Sequence, residues 1–144
     1  MQARISVLTL GVQDLERAVS FYRDGLGLAT EGVVGTEFEN GAVAFFDLNS
    51  GLKLALWPTK SIAADTGLQF QDGHMRVTIG HNVGSRGEVD EILEAACQAG
   101  AHLVKPAAET FYGGYAAYFT DPDGHLWEIV FNPDMLPASP HPIP

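Results

Sequence analysis

An internal repeat constrains the fold of this 144-residue chain more than any other feature of its sequence. The shift of 73 positions that carries Gly41 onto Gly114 also carries the sequence GAVAFF onto GYAAYF. The same shift places GLKLAL, which begins at Gly51, on GHLWEI, which begins at Gly124, and it places Gly27 on Gly100. One shift that aligns a helix end and two strands predicts two copies of one structural unit.

The first copy has the pattern of a strand, a helix and three strands. Residues 4–12 alternate like a strand, and Asp14 is placed to cap the amphipathic helix that follows. Three short apolar stretches separated by glycine, asparagine and serine follow within residues 28–57 and predict three strands. This order of elements is written βαβββ.

The second copy repeats that order. Residues 74–83 predict a strand, and Ser85 and Glu88 have the spacing of a capping box at the start of the next helix. Three strands follow, and the sequence Asp-Pro-Asp-Gly at 121–124 suits a type I turn between the last two of them. The turn predicts a hairpin of residues 114–120 and 125–131.

These patterns predict an α+β fold in a single domain that spans residues 1–144. Each copy alone leaves one apolar face of its sheet uncovered, so we expect the two copies to pair. The predicted divisions are a first module at 4–57, a linker at 58–73, a second module at 74–132 and a proline-rich tail at 133–144.

The charge balance excludes several kinds of partner. Eighteen acidic and eight basic side chains give a formal net charge of −10, which disfavours nucleic acid and anionic membrane surfaces. No apolar run approaches the roughly 20 residues that span a bilayer, and the first residues do not resemble a signal peptide. We therefore expect a soluble cytoplasmic protein that acts on a small molecule, with neither nucleic acid nor membrane as partner.

Three stretches carry a family resemblance: VQDLERAVSFYRDGLGL, VDEILEAACQAGA and FYGGYAAYFTDPDGHLWEIVFNP. They are similar to the vicinal oxygen chelate superfamily, which includes glyoxalase I, extradiol dioxygenases and bleomycin-resistance proteins. The resemblance implies two paired βαβββ modules that form a curled mixed sheet around a small-molecule cavity. It also implies a homodimer, with modules that pair within one chain or between chains.

The resemblance further implies a divalent metal held by side chains from four strands, with Glu128 at one ligand position. The other three positions fall on Val7, Ala55 and Thr78. Valine and alanine cannot bind a metal and a neutral threonine is a poor ligand, whereas a stable site needs about three protein ligands. We therefore predict no metal and no other cofactor, unless His74 or His81 completes a site.

Glu128 is the candidate catalytic residue, because a carboxylate in an apolar strand is costly to bury without a partner. It is expected to be satisfied by Arg76 or Thr78, to accept a hydrogen bond or a cation from a ligand, or to act as a general acid or base. Strand parity and a glycine-rich loop give the predicted ligand-binding residues, with core or loop packing as the alternative for the aromatic ones. They are Val7, Thr9, Trp57, Arg76, Thr78, Phe111, Tyr112 and Tyr115.

The sequence therefore predicts a metal-independent protein of the glyoxalase/bleomycin-resistance type that binds or transforms a small hydrophobic molecule. If it is an enzyme, a glyoxalase-like lyase is expected. One alternative is a metal-dependent lyase, isomerase or dioxygenase that resembles glyoxalase I. Another is an interaction module that lacks a working pocket.

Overall fold

A computed structural model describes residues 2–3, 5–71 and 77–135 of the chain. The chain divides into two compact units, Met1–His74 and Met75–Pro144, which we call unit 1 and unit 2. Each unit contains one four-stranded mixed sheet, so the predicted α+β fold of two βαβββ modules is confirmed. No helix in the described ranges is long and apolar enough to cross a bilayer.

Unit 1 has the strand order β1-β4-β3-β2, in which β1 runs parallel to β4 and the other neighbours are antiparallel. Helix α1 continues into one π-helical turn, and a helix that the sequence did not predict lies within the expected linker. The elements are β1 (Val7–Val12), α1 (Leu15–Ser20), the π-helical turn (Phe21–Gly25), β2 (Thr30–Val34), β3 (Val43–Asp47), β4 (Lys53–Pro58) and α2 (Thr59–Thr66).

Unit 2 has the equivalent strand order β5-β8-β7-β6, with β5 parallel to β8 and the other neighbours antiparallel. Strands β7 and β8 form the predicted hairpin. The elements are β5 (Thr78–Val83), α3 (Arg86–Gln98), β6 (His102–Glu109), β7 (Tyr115–Thr120) and β8 (Leu126–Phe131).

The helices begin where the capping residues predict. The Asp14 carboxylate accepts a hydrogen bond from the Arg17 N–H at 3.0 Å, and the Ser85 hydroxyl accepts one from the Glu88 N–H at 3.2 Å. The Glu88 carboxylate accepts from the N–H of Gly84 at 3.1 Å. These bonds satisfy backbone donors that the first helical turn leaves without an intrahelical partner.

One face of each sheet is packed against its helix and forms the core of that unit. In unit 1 the buried ring of Phe46 lies 6.0 Å from the ring of Tyr22, which follows α1. In unit 2 the buried rings of Phe119 and Trp127 are stacked at 6.3 Å, and Val89 of α3 is fully buried. Alternate residues of each strand therefore point to the opposite face, which we call the open face.

The structure shows how far the repeat extends. Strands β4 and β8 are related by the same shift of 73 that aligns the two sequences, since Lys53–Pro58 falls on Leu126–Phe131. The first strands of the units end at Val12 and Val83, which is two positions short of that shift. The strands are thus equivalent, and the two additional residues of unit 2 lie between the first strand and the end of the helix that follows it, since Gly27 and Gly100 are already 73 positions apart.

Candidate functional site

The open face of unit 1 is mainly apolar. Val7 and Thr9 of β1 are exposed on it, Ala55 of β4 is buried with 2% of its surface accessible, and Trp57 is half-buried. Phe45 of β3 lies directly across from Ala55 and is 40% exposed. Thr9 lies on the other side of Ala55, so these three residues form one row across the sheet.

A cavity of about 280 Å³ lies on this open face. The Trp57 indole donates a hydrogen bond to the carbonyl of Asn40 at 2.9 Å, which fixes the ring against the loop between β2 and β3. The structure thus brings together two of the predicted ligand-binding residues, Thr9 and Trp57. The lining residues are Thr9, Asn40, Gly41, Val43, Phe45, Ala55 and Trp57.

Two glycines give that loop its shape. A Cβ added at Gly41 would lie 2.6 Å from the carbonyl oxygen of Gly35 and 2.7 Å from the Cβ of Phe38. The backbone at Gly35 and the backbone at Gly41 can approach this closely only because neither residue carries a side chain. Asn40, which holds Trp57, adopts a left-handed backbone conformation with φ of 54° at the end of this loop.

A second, more polar cavity of about 630 Å³ lies toward the other end of the same sheet and shares Phe45 with the first. The Lys53 ammonium forms an ion pair with the Asp47 carboxylate at 2.5 Å, directly across from it on β3. Both side chains are substantially exposed, so the pair contributes little to stability. The lining residues are Ala29, Thr30, Glu31, Gly32, Val34, Phe45, Asp47 and Lys53.

The open face of unit 2 carries Glu128. Its direct neighbours are Gly80 on β5 and Tyr118 on β7. The Tyr118 hydroxyl donates a hydrogen bond to Oε2 of Glu128 at 2.5 Å, and both side chains are half-buried. Tyr118, which was not among the expected partners, is therefore a partner that the structure shows for this carboxylate; of the two expected partners, Arg76 lies outside the described residues.

Tyr118 keeps its proton at neutral pH. The hydrogen bond to Glu128 is the main cause that raises the pKa of Tyr118 to about 12, and burial and the charge of Glu128 add to it. A raised phenol pKa means that the neutral hydroxyl is favoured beside the carboxylate. The pair is thus a protonated donor that orients a carboxylate acceptor.

The partner of Glu128 depends on the register of the hairpin that β7 and β8 form. The turn at Asp121–Gly124 closes with a hydrogen bond from the Gly124 N–H to the Asp121 carbonyl at 3.0 Å. Pairing counted outward from a four-residue turn would set Thr120 opposite His125, but the Asp121 N–H also donates to the His125 carbonyl at 2.9 Å. This shifts the register by one residue and sets Thr120 opposite Leu126 and Tyr118 opposite Glu128. The predicted hairpin of residues 114–120 and 125–131 gives a register one residue away from the observed one, so it did not identify Tyr118 as the partner.

Tyr115 lies on the other face of the same sheet from Glu128. Its hydroxyl donates to the Asp90 carboxylate of α3 at 2.8 Å, and this bond raises the pKa of Tyr115. Phe111 and Tyr112 lie in the turn between β6 and β7, where both are exposed and their rings meet edge to face at 5.2 Å. The structure does not bring Tyr115 together with Glu128, and a ligand-binding role for Phe111 and Tyr112 stays a prediction.

The remaining predicted residues divide into two groups. Thr78 is exposed on the open face of unit 2, two residues before Gly80, whereas Arg76 and His74 lie outside the described residues. His81 has the strand parity of the buried Val83 and therefore faces α3. His81 remains exposed to solvent on one side, but partial desolvation lowers its pKa, and the charge of Glu88 at the start of α3 opposes this effect.

The described side chains do not fit a divalent metal. At the positions where the resemblance implies ligands, Val7 and Ala55 have no donor atom, and one oxygen of Glu128 already accepts from Tyr118. Within residues 2–3, 5–71 and 77–135, no group of three or more histidine, cysteine, aspartate or glutamate side chains is placed to hold a metal. A transition-metal site needs about three such ligands.

The chain is a small α+β protein built from two βαβββ units. Each unit has a helix on one face of its sheet, and the other face is open and carries a cavity in unit 1 and a carboxylate in unit 2. The family model of the Glyoxalase/Bleomycin resistance protein/Dioxygenase superfamily matches residues 4–129. The chain therefore belongs to this superfamily, and the resemblance seen in its sequence is confirmed.

Three similar proteins illustrate the range of the family. The metallothiol transferase FosB of Lysinibacillus sphaericus is 31% identical over 127 residues, which cover 87% of this chain and 79% of that protein. A glyoxalase-related enzyme from Fulvimarina pelagi has a TM-score of 0.79 and 36% identity, over 91% of this chain and 89% of that chain. A mutant of the fosfomycin resistance protein FosX from Listeria monocytogenes, solved with Mn(II) and 1S,2S-dihydroxypropylphosphonic acid, has a TM-score of 0.65 and 25% identity, over 90% of each chain.

Proposed function

We propose that this protein is a metal-independent member of the superfamily that binds or transforms a small hydrophobic molecule. The observation that carries the proposal is the apolar cavity of unit 1, in which Trp57 is held in place by Asn40 beside the exposed ring of Phe45. Small-molecule sites are typically concave and apolar, with a few placed polar groups. Val7 and Ala55 stand at positions where the resemblance implies metal ligands, and neither side chain has a donor atom, which supports a function without a metal.

Glu128 is the proposed polar residue of the function. Its carboxylate is oriented by the Tyr118 hydroxyl and lies on an open face, where it accepts a hydrogen bond from a ligand. If the protein turns its ligand over, Glu128 is the proposed general base and the reaction is a glyoxalase-like lyase reaction. Tyr118 is then the residue that holds the base in position and keeps a proton beside it.

A homodimer in the cytoplasm is the proposed state of the protein. Several apolar side chains on the sheet of unit 1 remain exposed, among them Val7 at 43%, Val34 at 41% and Phe45 at 40%. Apolar surface of this kind favours a partner, and a second copy of the chain is the partner that closed symmetry makes simplest. Light scattering coupled to gel filtration measures the mass, and a monomer at micromolar concentration contradicts the dimer.

The second candidate is a metal-dependent enzyme of the resistance type. It is favoured by the 31% identity to a protein named as a metallothiol transferase. The two candidates differ in whether a divalent metal copurifies with the protein and raises its melting temperature. Elemental analysis of protein purified without chelator tests this, and a stoichiometric divalent metal contradicts our proposal.

Tryptophan fluorescence tests ligand binding directly. In a Trp127→Phe background the remaining indole, Trp57, reports on the cavity of unit 1, and a screen of aromatic and α-oxo compounds is expected to yield ligands that change its emission. Trp57→Ala should then weaken a hit about tenfold or more, because it removes a large apolar contact. Glu91→Gln, an exposed change on α3, is the control and should leave the affinity unchanged. Hits that are insensitive to Trp57→Ala would place binding elsewhere.

A further inference from the structure

The surroundings of Glu128 point to the kind of group that it binds. None of the ion pairs Arg23–Asp24, Lys53–Asp47 and Arg86–Glu109 involves Glu128, and within residues 2–3, 5–71 and 77–135 the structure shows no cation paired with it, while Arg76 lies outside those residues. Its hydrogen-bond donor is a neutral phenol, which orients the carboxylate and leaves its negative charge in place. A half-buried carboxylate with no cationic partner is stabilised further by a positive group that approaches it.

Gly80 leaves room for such a group. Gly80 lies directly beside Glu128 on the parallel strand β5, and a Cβ built there would meet no heavy atom of the described residues within 4 Å. Tyr118 lies on the opposite side of Glu128 and donates to Oε2, so we assign the second oxygen, Oε1, to a group that approaches over Gly80. The result is a notch with a glycine floor and a carboxylate wall.

The rest of the notch is apolar or weakly polar. Leu126 and Val130 flank Glu128 on the same face of β8, and Ala116 lies beside Val130 on β7. Of these, Leu126 is partly exposed and can contact a hydrocarbon body next to the carboxylate, whereas Val130 and Ala116 are buried, and none of the three carries a competing charge. The net charge of −10 adds a general attraction for cations.

We propose that the notch formed by Gly80, Glu128 and Tyr118 is a subsite for a protonated amine carried by a hydrophobic ligand. The ammonium donates to Oε1 of Glu128 above Gly80, while the Tyr118 hydroxyl holds Oε2. This deepens the proposed function and rests on it, because it names the chemical class of ligand that the Glu128 position takes. It also explains a lone carboxylate at a position where the other implied metal ligands are missing: an ammonium needs one anion, whereas a divalent metal needs several.

Three probes of equal bulk test the subsite: naphthylmethylamine, naphthylmethanol and naphthoate, which are cationic, neutral and anionic at neutral pH. Calorimetric titration of the full chain at low ionic strength should give an affinity for the amine about tenfold higher than for the alcohol, since a charge-assisted hydrogen bond is stronger than a neutral one. Naphthoate should bind most weakly. This comparison needs no variant and so does not depend on how any variant folds.

Substitutions then assign the preference to the notch. Glu128→Gln keeps an oxygen that accepts from Tyr118 but removes the charge, and it should abolish the preference for the amine. Gly80→Leu should weaken the amine about tenfold by filling the notch, and Tyr118→Phe should weaken it about threefold, since the charge remains but is less well oriented. Glu91→Gln removes an equal charge from the exposed face of α3 and should leave the preference intact.

The outcomes separate the two proposals. Equal binding of amine and alcohol, or a preference that survives Glu128→Gln, overturns the amine subsite while binding itself still supports the proposed function. If none of the three probes binds at millimolar concentration while the fluorescence screen yields aromatic or α-oxo ligands, the amine subsite alone is overturned. If neither experiment finds a ligand, the proposed function fails and the subsite fails with it.

Discussion

The two units place different chemistry at equivalent positions of equivalent sheets. In unit 1 the row across the open face is Thr9, Ala55 and Phe45. In unit 2 the corresponding row is Gly80, Glu128 and Tyr118. An alanine and a phenylalanine have thus been replaced by a carboxylate and a phenol that bond to one another, in the same register.

The helix-covered faces do not show this difference. Phe46 and Phe119 are related by the repeat shift, and both are fully buried. Leu56 and Ile129 are a second such pair, with 0% and 2% of their surface exposed. The comparison teaches that the covered face preserves the fold in both units, whereas the open face is where the two units have become chemically distinct.

The largest effect is expected at the equivalent core phenylalanines. Phe46→Ala and Phe119→Ala should each lower the free energy of unfolding by about 3–5 kcal/mol, because each leaves a cavity in a packed face. Urea denaturation measures both changes. Phe45→Ala, one residue away on the open face, is the control and should cost less than half as much; equal losses at Phe45 and Phe46 would break the distinction between the faces.

The next effect concerns Gly41 and Gly114, which the repeat also makes equivalent. A Cβ at Gly41 would lie 2.6 Å from the Gly35 carbonyl oxygen, and one at Gly114 would overlap the Phe131 carbonyl oxygen and lie 2.6 Å from Tyr112. Alanine at either position should destabilise by about 1–3 kcal/mol in thermal or urea unfolding, because backbone must move. Gly80→Ala, where the Cβ meets open space, should be close to neutral and serves as the matched control.

The third prediction concerns the pH dependence of the Tyr118–Glu128 pair, which has no counterpart on the open face of unit 1. The pKa of Tyr118 is raised from 10.0 to about 12, so the folded state holds this proton more tightly than the unfolded state does. The resulting stabilisation is fully present below pH 10 and should be lost as the pH rises through about 12. Tyrosinate absorbance should show one late-titrating tyrosine that shifts to lower pH in Glu128→Gln; an unchanged titration would contradict the pairing.

The smallest effect is expected for the tyrosine on the covered side of the same strand. Tyr115→Phe removes an exposed hydrogen bond to Asp90, which water replaces, and should leave the free energy of unfolding almost unchanged. Tyr118→Phe should cost about 1 kcal/mol, because its partner is half-buried. Parallel urea denaturation compares the two, and a larger loss at Tyr115 would reverse the ranking of the two hydroxyls.

The repeat, the caps and the turn predicted most of the fold from sequence. Asp14 and Ser85 begin their helices as expected, and the hairpin of β7 and β8 falls within a residue of its predicted bounds. Helix α2 was missed, since Thr59–Thr66 begins directly after a proline-terminated strand and has only a weak apolar stripe. Strand β6 runs from His102 to Glu109 through Pro106, which an edge strand tolerates.

The site was less predictable than the fold. Parity alone places Val7, Thr9 and Trp57 on one face, as the structure shows, but parity cannot identify a hydrogen-bond partner. The partner of Glu128 depends on hairpin register, and the direction of Tyr115 depends on a contact with Asp90 that is distant in sequence. Asn40 was missed altogether, because its role comes from a backbone carbonyl that any residue type carries.

The seating of α2 has a consequence for how chains of this kind can change in length. A Cβ at Gly11 would lie 3.1 Å from Oγ1 of Thr59 and 3.3 Å from Cδ1 of Ile62. Helix α2 therefore packs closely against β1 at Gly11, where no side chain intervenes. The connector between the units is therefore anchored at its beginning, and insertions between Pro58 and Thr66 would lift it off that seat. The helix ends at Gly67, which has a left-handed backbone conformation. Residues 68–71 are exposed and belong to no helix or strand, so insertions and deletions should be tolerated there better than within α2.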